Sequence, residues 1–438
     1  MSYSPAKTLI LFFLGLITVG TIILSLPVSR NPGTDLSLLT SIFTASSSVC
    51  VTGLTVVAIN EYFSGFGQTI ILLLVQLGGV GYMFVSTVVT LLIGKMALKD
   101  RRMMQEIFDI SSFDDLKKLL YKAVFFVLAI EFAGAVVLSV IFMQDFPFLK
   151  ACYLGVFHSI TAFCNAGFSL FPDSMAAYAD NPLMLYSLSA LIILGGLGFF
   201  VIVDLYDTYK EKHIHLSTHT KVVLYLTFVV LTLAFLVFFF SEESGVFSGK
   251  GFFYSLNNSF FQAVSARTAG FASIPANTFS DFTEIIMIFL MSVGAAPGST
   301  AGGVKVTTLA LVFVFLKSML QADEDFVLLK KRIPSDLIKK ALTIFILFFV
   351  AVAVLSALLM LIEADKRPID VVFEVVSAFS TVGVSAGVTP QLSIAGKLLT
   401  IFAMIAGRIG ILTVLLVMIT SNKKVKKIRY PEARILVG

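Results

Sequence analysis

The sequence predicts an all-α membrane protein of four tandem repeats in a pseudo-fourfold arrangement, each repeat being a spanning helix, a short re-entrant helix and a second spanning helix. Three observations lead there: an apolar composition, eight apolar stretches of spanning length, and a four-way match among the shorter segments between them. Of 438 residues, 57% are hydrophobic and 13% are charged, against roughly 25% charged in a soluble domain. Mean hydropathy is +0.95.

A helix needs about 20 apolar residues to cross the hydrocarbon core. Stretches near that size run over 9–27, 69–94, 123–143, 183–203, 222–240, 285–315, 341–362 and 398–419. The first lacks a small-x-small cleavage site and reads as a spanning helix rather than a leader. Lys and Arg gather in alternate connections, seven in 95–122, three in 210–221, six in 317–340 and six in 423–434. The other connections hold only Arg30, Lys150, Lys250, Lys366, Arg367 and Lys397. Positive charge marks the cytoplasmic side, which places both termini there, in an inner or plasma membrane. Cys50, Cys152 and Cys164 show no paired spacing, so they read as small apolar packing groups. His213, His215 and His219 with Glu211 match no common ligand spacing. Scattered His, Cys and acidic residues form no catalytic cluster, so the chain does not read as an enzyme.

Between the paired stretches lie shorter apolar segments, 37–51, 149–164, 252–267 and 369–380, each followed closely by glycine. They are too short to span and are candidates for helices that enter and leave on one side. Aligned on Gly53, Gly167, Gly270 and Gly383, each has Phe ten residues earlier: Phe43, Phe157, Phe260 and Phe373. Ser47, Ser48, Thr161, Ala162, Ser265, Ser377 and Ala378 fill the places five and six back, with Val264 the exception. The glycines stand 114, 103 and 113 residues apart. The expected units are 1–100, 101–212, 213–330 and 331–422, each a helix–pore-helix–helix repeat, with a basic tail at 423–438. In the second helices, Leu77-Gly-Gly and Leu194-Gly-Gly match between repeats. No strand precedes them, so helix packing through small residues explains them better than a nucleotide fingerprint.

A cation leaving water must have its hydration shell replaced. Main-chain carbonyls in a ring can do so, and glycine reaches the dihedrals that turn them inward. The candidate filter is Val51, Thr52 and Gly53; Asn165, Ala166 and Gly167; Thr268, Ala269 and Gly270; Thr381, Val382 and Gly383. The C-termini of four short helices would add partial negative charge. Arg267, three residues before Gly270, is the awkward member. The 285–316 stretch is longer than one crossing needs, and its middle, Gly294-AAPGSTAG-Gly303, disfavours continuous helix. Gly294, Pro297, Gly298, Ser299, Thr300, Gly302, Gly303 and Lys305 are the candidate gate loop, a packing kink being the alternative. Val304 separates Gly303 from Lys305, unlike a phosphate-binding loop. Arg408, amid the last apolar stretch, is expected to face a cavity, contacting the gate loop and lowering ion occupancy.

These residues resemble the Trk/Ktr/HKT superfamily of cation channels and transporters. The likeness rests on Thr52-Gly53-Leu54, Asn165-AGF-Phe168, Thr268-AGF-Phe271, Thr381-VGV-Val384, Gly298-STAGGVK-Lys305 and Arg408, and covers nearly the whole chain. The ending Tyr430-PEARILVG-Gly438 is most similar to the membrane subunits of Ktr systems, the KtrB type. The resemblance implies potassium transport by a homodimer with a pore in each protomer. It also implies a cytoplasmic, KtrA-like ring of RCK-type regulatory subunits that hold ATP or ADP, and stimulation by sodium. No cofactor is expected in this chain, and no nucleic-acid partner; its surroundings are membrane lipid. Glycine at all four positions fits potassium over sodium. A secondary cation transporter with alternating access is the rival, but it expects broken helices in paired halves, and the sequence obviously breaks only one.

Overall fold

The computed structural model describes residues 5–34, 37–80, 113–211, 216–323 and 325–410. Parts of the expected second and eighth spans (81–94 and 411–419), Tyr82, most of the basic 95–122 segment, His213, His215 and the tail 423–438 lie outside the described residues.

The described chain is almost wholly helical. In order come α1 Pro5–Leu24, α2 Leu38–Val49, α3 Gly65–Gly79, α4 Phe113–Phe142, α5 Phe148–Phe163, α6 Pro182–Leu197 and α7 Phe199–Glu211. Then follow α8 Thr218–Ser241, α9 Phe252–Ser265, α10 Asp281–Ser292, α11 Val306–Gln321, α12 Ser335–Ile362, α13 Pro368–Phe379 and α14 Ile394–Ile409. A two-residue-per-strand hairpin, Val327–Leu328 with Lys331–Arg332, links α11 to α12.

Helix starts follow from local chemistry. Ser64, Asn181, Ser280 and Ser393 each sit just before α3, α6, α10 and α14, and each side chain accepts from a first-turn amide: Gly67, Met184, Thr283 and Gly396. Each such cap contributes about 1 kcal/mol. Two of these starts are also tied to the end of the preceding long helix. Glu242, after α8, accepts from Ser280 N at 3.1 Å. Glu363, after α12, accepts from Ser393 N at 2.8 Å.

Among the described residues, three helices, Tyr121–Phe142, Thr218–Ser241 and Ser335–Ile362, are long and apolar enough to cross a membrane alone. Their outer faces are apolar: Phe132 is 72% and Phe228 69% exposed. Holding such rings in water rather than lipid would cost roughly 2 kcal/mol each. The 183–203 stretch does not form one straight helix. It breaks at Gly198, and α6 and α7 meet at 94°. The break expected at 294–303 therefore has a counterpart at Gly198, which corrects the expectation of a single broken helix.

The interior forms two main apolar clusters. One gathers Phe13, Phe63, Phe142 and Phe157 from α1 to α5, with Phe261 and Phe271. The other gathers Phe238, Phe348, Phe373 and Phe379, but also Phe43 and Cys50 from the first quarter. Because α2 packs on α14 as well as on α1 and α3, the first and last quarters of the chain meet. That contact closes the arrangement of the short helices.

Candidate functional site

Four loops with one backbone signature follow α2, α5, α9 and α13. Two residues before each glycine, Val51, Asn165, Thr268 and Thr381 adopt φ of 56°, 55°, 68° and 51°. A left-handed non-glycine residue costs roughly 1–2 kcal/mol, and four in register mark a place where the surroundings enforce the conformation. Gly53, Gly167, Gly270 and Gly383 follow at φ of 93°, 67°, 81° and 94°. The intervening amides fold back onto the helix ends: Thr52 N donates to Ser47 O, Ala166 N to Thr161 O and Val382 N to Ser377 O, each at 2.8 Å. Ser47 Oγ and Ser377 Oγ each accept from the loop glycine's amide at 3.1 Å.

The four loops meet in a cycle. A Cβ built on Gly53 would strike Ala166 O, and one on Gly167 would lie 2.7 Å from Gly270 Cα. One on Gly270 would strike Val382 O, and one on Gly383 would strike Thr52 O. Each glycine thus abuts the main chain of the next loop, and the fourth returns to the first. All twelve candidate filter residues belong to these loops. The structure brings them together.

Three glycines of α3, α6 and α14 make this packing possible. Gly78, Gly195 and Gly407 lie against the last-turn carbonyls of α2, α5 and α13, at Val49, Phe163 and Phe379, where a Cβ would collide.

The third loop is out of phase by one residue. α9 ends at Ser265, and Ala269 N reaches Ser265 O, four residues back instead of five. The stretch from that helix-end carbonyl to the glycine is thus one residue shorter than in the other three loops, and Arg267 lies within it. In the same helix Phe260 is only half-buried while Phe261 is fully buried, whereas Phe43, Phe157 and Phe373 are fully buried.

The 294–305 segment packs against these helix ends. Gly294 N donates to Val304 O at 2.9 Å and Val304 N to Ser292 O at 3.1 Å, pinching the segment into a closed loop. Thr300 Oγ1 donates to Phe163 O at 3.3 Å and lies 3.2 Å from the side-chain amide of Asn165. Gly302 rests against Ser380 O and Thr381, and Lys305 donates to Ala301 O. Ser299 Oγ donates to Ala296 O at 2.6 Å. The α6–α7 elbow grips the other side: Ala296 N donates to Gly196 O, Phe199 N to Gly298 O, and Gly298 sits on the Phe199 and Phe200 rings. Gly198, at φ 82°, makes the elbow, with Pro297 O too close for a side chain. Arg408 donates from Nη1 to Thr300 O and from Nη2 to Gly78 O, the latter at 2.8 Å. It ties α14 to the loop and to α3.

Other buried polar groups hold the loops, and sequence reasoning did not find them. Glu374 accepts from Val388 N at 3.2 Å and from Ser385 and Thr389. Gln262 donates to Ile274 O at 2.9 Å. His158 donates from Nδ1 to Leu154 O at 2.8 Å, leaving Nε2 to accept from Leu170 N. Each side chain on a short helix fastens the strand that leaves its loop. Glu131 accepts from Gln76 at 3.0 Å beside Cys164, behind the second loop. An acidic residue amid an apolar stretch was the available signal for Glu131. The three cysteines are free thiols.

The TrkH family model, described as a cation transport protein, matches residues 7–427. The chain is 35% identical to the potassium/sodium uptake protein NtpJ of Enterococcus hirae, over 99% of this chain and 97% of that one. It is 36% identical to the Ktr system potassium uptake protein B of Vibrio alginolyticus, over 99% of this chain and 94% of that one. Its fold is similar to the crystal structure of the potassium transporter TrkH from Vibrio parahaemolyticus, with TM-score 0.77, 18% identity and coverage of 96% and 86%.

Proposed function

The chain belongs to the TrkH family of cation transport proteins, and from that premise we propose that it takes up potassium across the cell membrane along the axis of its four glycine loops. The closed cycle of approaches among Gly53, Gly167, Gly270 and Gly383 carries the reading. Carbonyls of Val51, Thr52, Asn165, Ala166, Thr268, Ala269, Thr381 and Val382 replace water around the ion, which otherwise pays tens of kcal/mol to leave it. The C-termini of α2, α5, α9 and α13 end at these loops, and their partial negative charges favour a cation. The loop from Gly294 to Lys305 is the gate, and Arg408 is its latch.

The four repeats, eight crossings and cytoplasmic termini belong to the same proposal, supported by the family fold and the distribution of basic residues. So does a homodimer seated on an RCK-type ring that binds nucleotide. A relative named as protein B of a Ktr system supports the further subunit. Sodium stimulation draws support from the relative named for potassium/sodium uptake.

A second reading, alternating access, is favoured by one observation: two consecutive second helices are interrupted, at Gly198 and at 294–303. Flux in liposomes separates the two. Potassium movement that keeps rising with its gradient, without a coupled ion, supports the channel-like path, and saturation with fixed stoichiometric coupling supports the rival.

The experiment is potassium uptake in a strain lacking its own uptake systems, with Gly270→Ser and Gly383→Ser beside the parent. Weakened affinity or weakened preference for potassium over sodium is expected. Both variants transporting like the parent would refute the filter.

A further inference from the structure

Arg267 is the residue that the four-loop reading leaves unused. It lies in the shortened third loop and is only 7% exposed. Its Nε is buried without a hydrogen-bond partner, and among the described residues no carboxylate acts on it. A charge buried in this way is strongly unfavourable unless something neutralises it, and an ionisable group at membrane depth ordinarily has a partner.

The side chain lines a small cavity between α6, α8 and the gate loop, walled by Ile192, Ile193, Leu231 and Ala295. Thr227 supplies the other polar side chain there, and its hydroxyl takes part in no hydrogen bond among the described residues. The nearby Gly196 carbonyl is already engaged by Ala296 N. The lining therefore offers the guanidinium N–H donors and one hydroxyl, which can donate or accept. A water molecule would accept from Arg267 and donate one hydrogen to Thr227, but it carries no charge to offset the guanidinium. An acceptor-only particle meets the lining fully and cancels the charge. The free space at its centre is close to that of one water-sized particle, which suits a monatomic ion and not a carboxylate or phosphate.

We propose that this cavity binds a single halide, chloride under physiological conditions, held by Arg267 and Thr227. With the anion bound, the third loop presents no net positive charge beside Gly270. Without it, the guanidinium repels a cation on the axis and lowers its occupancy. The site rests on the geometry around Arg267; only its effect on flux rests on the proposed function.

Two measurements test it. Crystals of the full chain transferred from chloride to bromide should show an anomalous bromine peak within hydrogen-bond distance of Arg267, and Arg267→Gln should lose it. Wild-type crystals without that peak overturn the site, whether or not the variant folds. In liposomes, replacing chloride by gluconate should raise the half-saturating rubidium concentration several-fold in wild type and leave Thr227→Val and Arg267→Gln unchanged. An equal response in all three overturns the coupling. A bromine peak with no rubidium uptake at all would instead refute the transport reading while leaving the anion site standing.

Discussion

Arg408 offers the sharpest perturbation, because one side chain holds the gate loop and the first quarter at once. Its guanidinium donates to Thr300 O and to Gly78 O. A hydrogen bond from a charged donor contributes about 1.5–3 kcal/mol. Arg408→Ala removes the one to the loop, and a loss of about 2 kcal/mol moves the closed–open equilibrium of the loop by about 30-fold. The assay is the initial rate of rubidium uptake at saturating substrate, normalised to protein in the membrane. The maximal rate should rise several-fold or more, up to that limit, with a smaller change in half-saturation. Arg408→Lys separates the bond from the charge. A lysine cannot span both carbonyls, so it should resemble alanine if the latch matters and wild type if only the field does. A maximal rate unchanged or lowered in Arg408→Ala, at equal protein level, would refute the latch.

Further outcomes follow from neighbouring contacts. Gly302→Ala places a Cβ against Ser380 O and Thr381; the loop must shift, and basal uptake should rise. Gly198→Ala puts a side chain at φ 82° and 2.9 Å from Pro297 O. The left-handed strain alone costs roughly 1–2 kcal/mol, and uptake should change with little effect on potassium-over-sodium preference. Glu374→Gln replaces an acceptor of Ser385, Val388 and Thr389, and an unmet buried group costs about 1–3 kcal/mol; a lower melting midpoint of the purified protein is the readout.

Much of this was legible because glycine and apolar length are strong signals in a membrane. The four short helices were readable from stretches too short to span, and the loop register from glycines where no side chain fits. The contact between Arg408 and the 294–305 loop was readable in kind, since a lone charge at that depth needs a partner. The one-residue offset of the third loop was not readable. Aligning Phe260 with Phe43, Phe157 and Phe373 assumes one spacing to every glycine, whereas the buried counterpart of those rings is Phe261, a residue nearer its glycine. The elbow at Gly198 was hidden for another reason. Leu197, Phe199 and Phe200 continue the apolar run, so the glycine looks like a packing contact, and only its φ and the approach of Pro297 reveal the bend. Glu374, Gln262 and His158 escaped because the partners they fasten lie 11 to 15 residues further on, beyond the reach of a short motif.

The central claim is that the four loops surround one dehydrated cation with main-chain oxygens. Diffraction from crystals soaked in thallium or rubidium measures it directly. Anomalous peaks should lie on the axis among the carbonyls of Thr52, Ala166, Ala269 and Val382. Peaks found only elsewhere, with that axis empty in well-ordered crystals, would contradict it.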